Sequence, residues 1–156
     1  MNKKLICYFS ASGNTKKIAE QLAKIVGGDL FEIKPLEDYT AKDLDWQDKN
    51  SRSSLETADS TSRPAIKKTL NSIEDYKTIF IGYPIWWDLA PRIINTFIES
   101  INLENKKVYL FATSGGSGVS ASLDNLKDEY KNIDFISAKR LSESVSRDEI
   151  TSWLGE

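Results

Sequence analysis

The sequence predicts an α/β domain: a doubly wound, five-stranded parallel sheet with helices on both faces. Three observations carry this. Five short apolar runs are spread over 156 residues, alternating with five helical patterns. The runs are largely continuous in apolar residues, as strands covered on both faces are. The length suits one domain, 1–156, around one core. Doubly wound sheets bind ligands beyond the carboxyl ends of their strands, where the strand order reverses. Function is therefore expected in the segments after the first, third and fourth strands.

Leu5-Ile6-Cys7-Tyr8-Phe9 is too short for a stable helix and reads as the first strand. From Thr15, residues Ile18, Leu22, Ile25 and Val26 fall on one helical face, and Gly27-Gly28 ends that helix. Leu30 to Ile33 is a short second strand stopped by Pro35. Residues 35–63 are polar and irregular. Thr40 can cap a short helix there, with Asp43 at its third position and Tyr39 and Leu44 as a hydrophobic staple. Pro64 suits the first turn of a helix to about Ile73. Thr78 to Tyr83 is the third strand, and Pro91 opens a helix burying Ile94, Phe97, Ile98 and Ile101. Val108 to Thr113 is the fourth strand, Ser120 to Tyr130 a helix, and Phe135 to Leu141 the fifth strand. Ser146-Arg147-Asp148-Glu149 is a capping box opening the last helix.

Composition excludes several chemistries. Histidine is absent, which removes Ser-His-Asp triads, Cys-His pairs and the commonest zinc ligand. The single cysteine, Cys7, cannot form an internal disulfide, and within a strand it reads as a packing residue. A formal charge of -2 provides no basic field, so no nucleic-acid partner is expected. No run approaches the roughly 20 apolar residues of a membrane span. The five apolar residues after Lys4 lead directly into polar sequence, unlike a signal peptide. A reduced, cytoplasmic setting without membrane association is the expectation, with any chemistry brought by a bound cofactor.

Ser10-Ala11-Ser12-Gly13-Asn14-Thr15 joins the first strand to the first helix. Three hydroxyls, an amide and a run of backbone N–H groups at a helix start suit a phosphate. The loop lacks the ending of a Walker motif, and its single glycine is not a dinucleotide fingerprint. A helix merely capped by Ser12 or Asn14 is the plainer alternative. After the third strand, Pro84-Ile85-Trp86-Trp87 places two indoles side by side before Pro91. Consecutive side chains of an extended segment point opposite ways, so one core cannot readily take both. A flat partner such as a flavin ring is the functional reading. After the fourth strand comes Thr113-Ser114-Gly115-Gly116-Ser117-Gly118. Gly116 to Ala121 also satisfies G-x-G-x-x-A, a weak signal so late in the chain.

Together these segments resemble the flavodoxin family. Ser10–Thr15 is similar to its phosphate loop, S/T-x-S/T-G-x-T, and the aromatic and Gly/Ser loops follow in register over nearly the whole chain. No long insertion interrupts Phe135–Leu141, which resembles the short-chain members. The resemblance implies the strand order 2-1-3-4-5, non-covalent FMN and electron transfer between proteins, a reductase and an acceptor, met by transient docking. It implies a phosphate site at Ser10, Ala11, Ser12, Gly13, Asn14 and Thr15. Pro84, Ile85, Trp86 and Trp87 become flavin neighbours, and Thr113, Ser114, Gly115, Gly116, Ser117 and Gly118 meet the pyrimidine edge. Many members also have a glycine peptide near the reduced flavin in the third-strand loop; here no glycine lies between Gly82 and Gly115.

Two other functions compete. An NAD(P)H-dependent FMN or quinone reductase of the same superfamily needs open space over the flavin and a cation for the nucleotide phosphates. Arg52, Arg63 and Arg92 are available, with no spacing that commits them. A phospho-receiver with the same strand order needs an acidic pair where Ser10 and Ser12 stand. The acidic run Glu37, Asp38, Asp43, Asp45 and Asp48 reads either as a docking rim for a basic redox protein or as a solvated surface. The near-neutral total charge, unlike the acidic balance of many flavodoxins, favours the latter.

Overall fold

Side-chain alternation along the central strands divides the core into two halves, one on each face of the sheet. In the computed structural model, residues 3–70, 72–113 and 118–155 are described. The elements run β1 (Lys3–Tyr8), α1 (Asn14–Val26), β2 (Asp29–Glu32), α2 (Arg52–Ala58), β3 (Tyr76–Pro84), α3 (Arg92–Ser100), β4 (Lys107–Thr113), α4 (Ser120–Glu129), β5 (Asp134–Arg140) and α5 (Arg147–Leu154). All strand pairs are parallel, in the order β2-β1-β3-β4-β5. Leu5 and Cys7, Ile79 and Ile81, and Val108 and Leu110 share one half with Ile93, Ile94, Phe97 and Ile98 of α3 and Leu126 of α4. Ile6, Tyr8, Phe80 and Phe111 share the other with Ile18, Ala19 and Leu22 of α1 and Ile150 of α5. Gly82 lies opposite Phe111 in register, and a Cβ there would stand 2.1 Å from the ring, so only glycine fits.

The expected cap forms at the end of α1, and one half of the expected capping box forms at the start of α5. Gly27 ends α1 at φ 70°, its amide donating to the Ala23 carbonyl at 2.9 Å. Ser146 Oγ accepts from the Glu149 amide at 3.1 Å, while the Glu149 carboxylate stands 3.7 Å from Lys139 Nζ. Cys7 is fully buried, and burial holds its thiol well above the usual range, so it packs as a small apolar residue.

Residues 35–75 differ from expectation. Among the described residues, no helix runs from Pro64 to Ile73. Ile66 instead forms an antiparallel bridge with Pro35, and the amides of Leu36 and Lys67 donate to the carbonyls of Ala65 and Lys34, both at 2.8 Å. Ile66 and Leu70 have helical spacing, yet both reach the core from an extended chain. The φ that Pro64 fixes is compatible with either conformation. The helix in this stretch is α2, whose cap Ser51 accepts from the Ser54 amide at 3.3 Å. At Thr40 the reciprocal bonds form: Thr40 Oγ1 accepts from the Asp43 amide at 3.1 Å, and Asp43 Oδ2 from the Thr40 amide at 3.0 Å. They close a single turn. Beyond it, Asp45 and Asp48 accept from the amides of Gln47 and Asn50, local turns that compete with helix propagation.

Tyrosine ionisation sets an alkaline limit. Burial pushes the Tyr83 phenol up to about 12, despite a hydrogen bond with Ser122 that acts the other way. Burial, and then the Glu99 carboxylate, push Tyr130 up to about 12. The unfolded value is about 10. A raised value means stability that is fully present below about pH 10 and is lost as pH rises towards 12. Alkaline unfolding should therefore begin above about pH 10, with tyrosinate absorbance appearing together with the loss of circular dichroism. Complete tyrosine titration at pH 10 in folded protein would contradict this assignment.

Candidate functional site

The carboxyl ends of β1, β3 and β4 meet where the strand order reverses. The loop Ser10–Thr15 turns there from β1 into α1. Gly13 holds φ 92°, a conformation costly for a residue with a side chain, although a Cβ would meet nothing within 4 Å. Its requirement for glycine is conformational. Ser10 Oγ accepts from the amides of Gly13 and Lys16, each at 3.1 Å. Neither Ser12 nor Asn14 caps α1 with its side chain. Among the described residues, nothing accepts from the amides of Ser12, Asn14 and Thr15. Those donors and the positive end of the α1 dipole form an anion cradle. Thr15 itself is buried, and its hydroxyl lies 2.8 Å from that of Thr113. It ties the first loop to the end of β4.

The loop after β3 separates its two tryptophans by a tight turn. Trp86 and Leu89 exchange backbone hydrogen bonds of 2.9 and 3.0 Å. Trp87 and Asp88 between them have φ values of 48° and 66°. Two successive left-handed residues make a type I′ turn, here built without glycine. Trp86 packs inward, edge-on to Phe9 and Tyr39 with ring centroids 5.8 and 5.5 Å away. Trp87 is 45% exposed.

The long segment after β2 supplies the third wall, which the sequence did not reveal. Tyr39 packs on Phe9 and Trp86, its ring lies 3.7 Å beneath the Arg52 guanidinium, and its hydroxyl donates to Glu56. Burial, and then Glu56, hold that phenol far above its usual range. This anchor sets α2 beside the two loops. A cavity of about 300 Å³ results, bounded by Ala11 and Ser12, by Pro84, Ile85, Trp86 and Trp87, and by Leu44, Trp46 and Ser53. Trp46 is 68% exposed. With Trp87 it also borders a wider hollow of about 790 Å³ along α2, at whose rim stand Lys49 and Thr57.

Of the expected site residues, the structure thus brings together those of the first two loops. Thr113 is buried at the end of β4 and joined to Thr15. Ser114, Gly115, Gly116 and Ser117 lie outside the described residues. Gly118 is exposed ahead of α4. None of the three candidate arginines lines the cavity. Arg52 bonds Glu56 at 3.0 Å and the Glu37 carbonyl at 2.8 Å. Arg63 bonds Glu99, and Arg92 is buried with a bond to the Thr57 carbonyl at 2.9 Å. The described residues contain no cluster suited to a metal ion and no helix long and apolar enough to cross a membrane.

A doubly wound sheet whose loops meet beyond the carboxyl ends of β1 and β3 is the architecture of a ligand-binding α/β protein. The chain belongs to the flavodoxin family: the family model described as Flavodoxin matches residues 3–156. No curated protein matches it. Among solved structures, a Bacteroides eggerthii protein assigned as a flavoprotein is 49% identical, with a TM-score of 0.96 over 99% of this chain and 97% of that one. A similarly assigned Bacteroides uniformis protein is 48% identical, with a TM-score of 0.93 over 99% of both chains. A Lactobacillus acidophilus flavoprotein, solved in complex with FMN, has the same fold at 24% identity, with a TM-score of 0.78 over 99% of both chains.

Proposed function

We propose that the chain binds FMN non-covalently and carries electrons between cytoplasmic redox proteins. The observation that carries this reading is the cavity itself, which runs from Ser12 at the anion cradle to the exposed face of Trp87. Free amides suit the phosphate, and an indole suits the isoalloxazine through area burial and ring-quadrupole attraction. The bound flavin supplies the redox chemistry. The chain binds it, orients it and limits water around it. Half-exposed Trp87 leaves that end of the site open to a docking protein. The acidic residues support docking weakly, since Asp43, Asp45 and Asp48 each accept a backbone hydrogen bond within their own loop.

A nicotinamide-dependent reductase would need a cation for the nucleotide phosphates; Arg52 and Arg63 are paired with carboxylates and Arg92 is buried, while Lys49 stands at the rim of the hollow beside Trp87. The test is to load the protein with FMN and compare reduction by NAD(P)H with reduction through a flavodoxin reductase. The carrier reading expects slow direct oxidation of NAD(P)H and fast reductase-mediated reduction. Rapid multiple-turnover oxidation of NAD(P)H with a quinone acceptor would replace it with the reductase reading.

A further inference from the structure

We propose that the Ser53 hydroxyl hydrogen-bonds the riboflavin portion of the bound flavin, which makes α2 a ligand-binding element. This rests on the FMN reading above. Ser53 is 2% exposed, and its Oγ has no hydrogen-bond partner among the described residues. It lines the cavity that Trp86 and Trp87 share with Ser12.

The neighbouring serines mark Ser53 as different. Ser51 Oγ donates to Ser54 Oγ at 2.9 Å, and Ser54 Oγ donates to the Asp48 carbonyl at 2.7 Å. Both are satisfied within the protein. A buried hydroxyl left unpaired carries its full desolvation cost, so such groups are rare without a role. Thr57, one helical turn on and on the same face, also has a buried hydroxyl without a partner, and it lines the adjoining hollow.

The position of Ser53 is fixed by its surroundings. Its amide donates to the Asp43 carbonyl at 3.0 Å. Arg52 and Glu56, on an adjacent side of α2, clamp the helix to Tyr39. Ser53 is therefore held in place in the cavity wall. The anion cradle takes the phosphate, so the group that meets Ser53 belongs to the ring or the ribityl chain, both of which carry hydrogen-bonding atoms.

The experiment titrates the full chain, stripped of flavin, with FMN and with riboflavin, and melts the flavin-free protein. Ser53→Ala should weaken both ligands by the same factor, about tenfold. It should leave the melting temperature of the flavin-free protein unchanged or slightly higher, because no internal hydrogen bond is lost. Ser53→Cys keeps a donor at the same position, weaker and somewhat larger, and should fall between. Unchanged FMN affinity in Ser53→Ala would overturn the proposal, as would a loss confined to FMN, which would place Ser53 at the phosphate. A melting loss large enough to account for the weakened binding would mark a packing role and overturn it too. Wild-type protein that binds neither ligand would instead remove the FMN reading.

Discussion

Replacing Trp86 by alanine should cost about 3 kcal/mol of folding stability, while Trp87→Ala should change stability by no more than about 0.5 kcal/mol and weaken FMN binding instead. The two residues are neighbours in sequence and opposites in environment. Trp86 completes an edge-to-face cluster with Phe9 and Tyr39. Its removal opens a void beneath the cavity and frees the residue on which Tyr39, and through it α2, is seated. Trp87 packs less and presents nearly half its surface to solvent. Its removal should cost about 1–3 kcal/mol of FMN affinity, from lost ring contact and lost burial. Flavin fluorescence, quenched by the stacked indole, should recover. The midpoint potential should rise, since water then solvates the anionic reduced ring. Trp87→Phe should keep much of the affinity. Denaturant titration of the flavin-free proteins and calorimetric titration of FMN separate the two effects. Equal stability losses, or unchanged FMN affinity in Trp87→Ala, would show that both tryptophans serve packing alone.

β1, β3 and β4 were legible because burial on both faces leaves continuous apolar runs, and α1, α3 and the last helix because their periodicity and caps are local. Gly27 and Ser146 act within a few residues of where they stand. The turn from β1 into α1 was legible for the same reason: its signal is six consecutive residues. What was hidden is long-range. Nothing in Arg-Ser-Ser-Leu-Glu-Thr-Ala marks α2 as one wall of a cavity, since its orientation is set by Tyr39, thirteen residues before its start. The divergence of Trp86 and Trp87 was expected from strand alternation, but it arises from a left-handed turn that usually advertises itself by glycine or asparagine. The absence of a glycine concealed it. At Pro64 the helical spacing of Ile66 and Leu70 was real, and tertiary pairing with Pro35 outweighed it. Trp46 carried no periodic signal at all and became informative only once α2 placed it across from Trp87.

Ser12→Ala should weaken FMN by about 1–3 kcal/mol and leave riboflavin affinity unchanged. Ser12 is exposed, caps nothing, and stands at the cavity end beside amides that have no acceptor among the described residues. Its hydroxyl is therefore free to donate to a phosphate oxygen, a charge-assisted bond that riboflavin cannot make. Ser12→Asp should go further, because a carboxylate placed against a dianion repels it in a partly dehydrated site. Thr15→Ala should behave differently. Its hydroxyl bonds Thr113 in the core, so the variant should lose about 1 kcal/mol of stability along with FMN affinity. The pH dependence follows from the ligand rather than from the chain. The second phosphate ionisation lies near pH 6, so the advantage of FMN over riboflavin should be full above about pH 6 and should shrink as the phosphate loses a charge below it. Calorimetric titration of both flavins across that range measures the difference directly. Equal affinity for FMN and riboflavin at pH 7, or an equal loss of both in Ser12→Ala, would remove the phosphate from the β1–α1 loop.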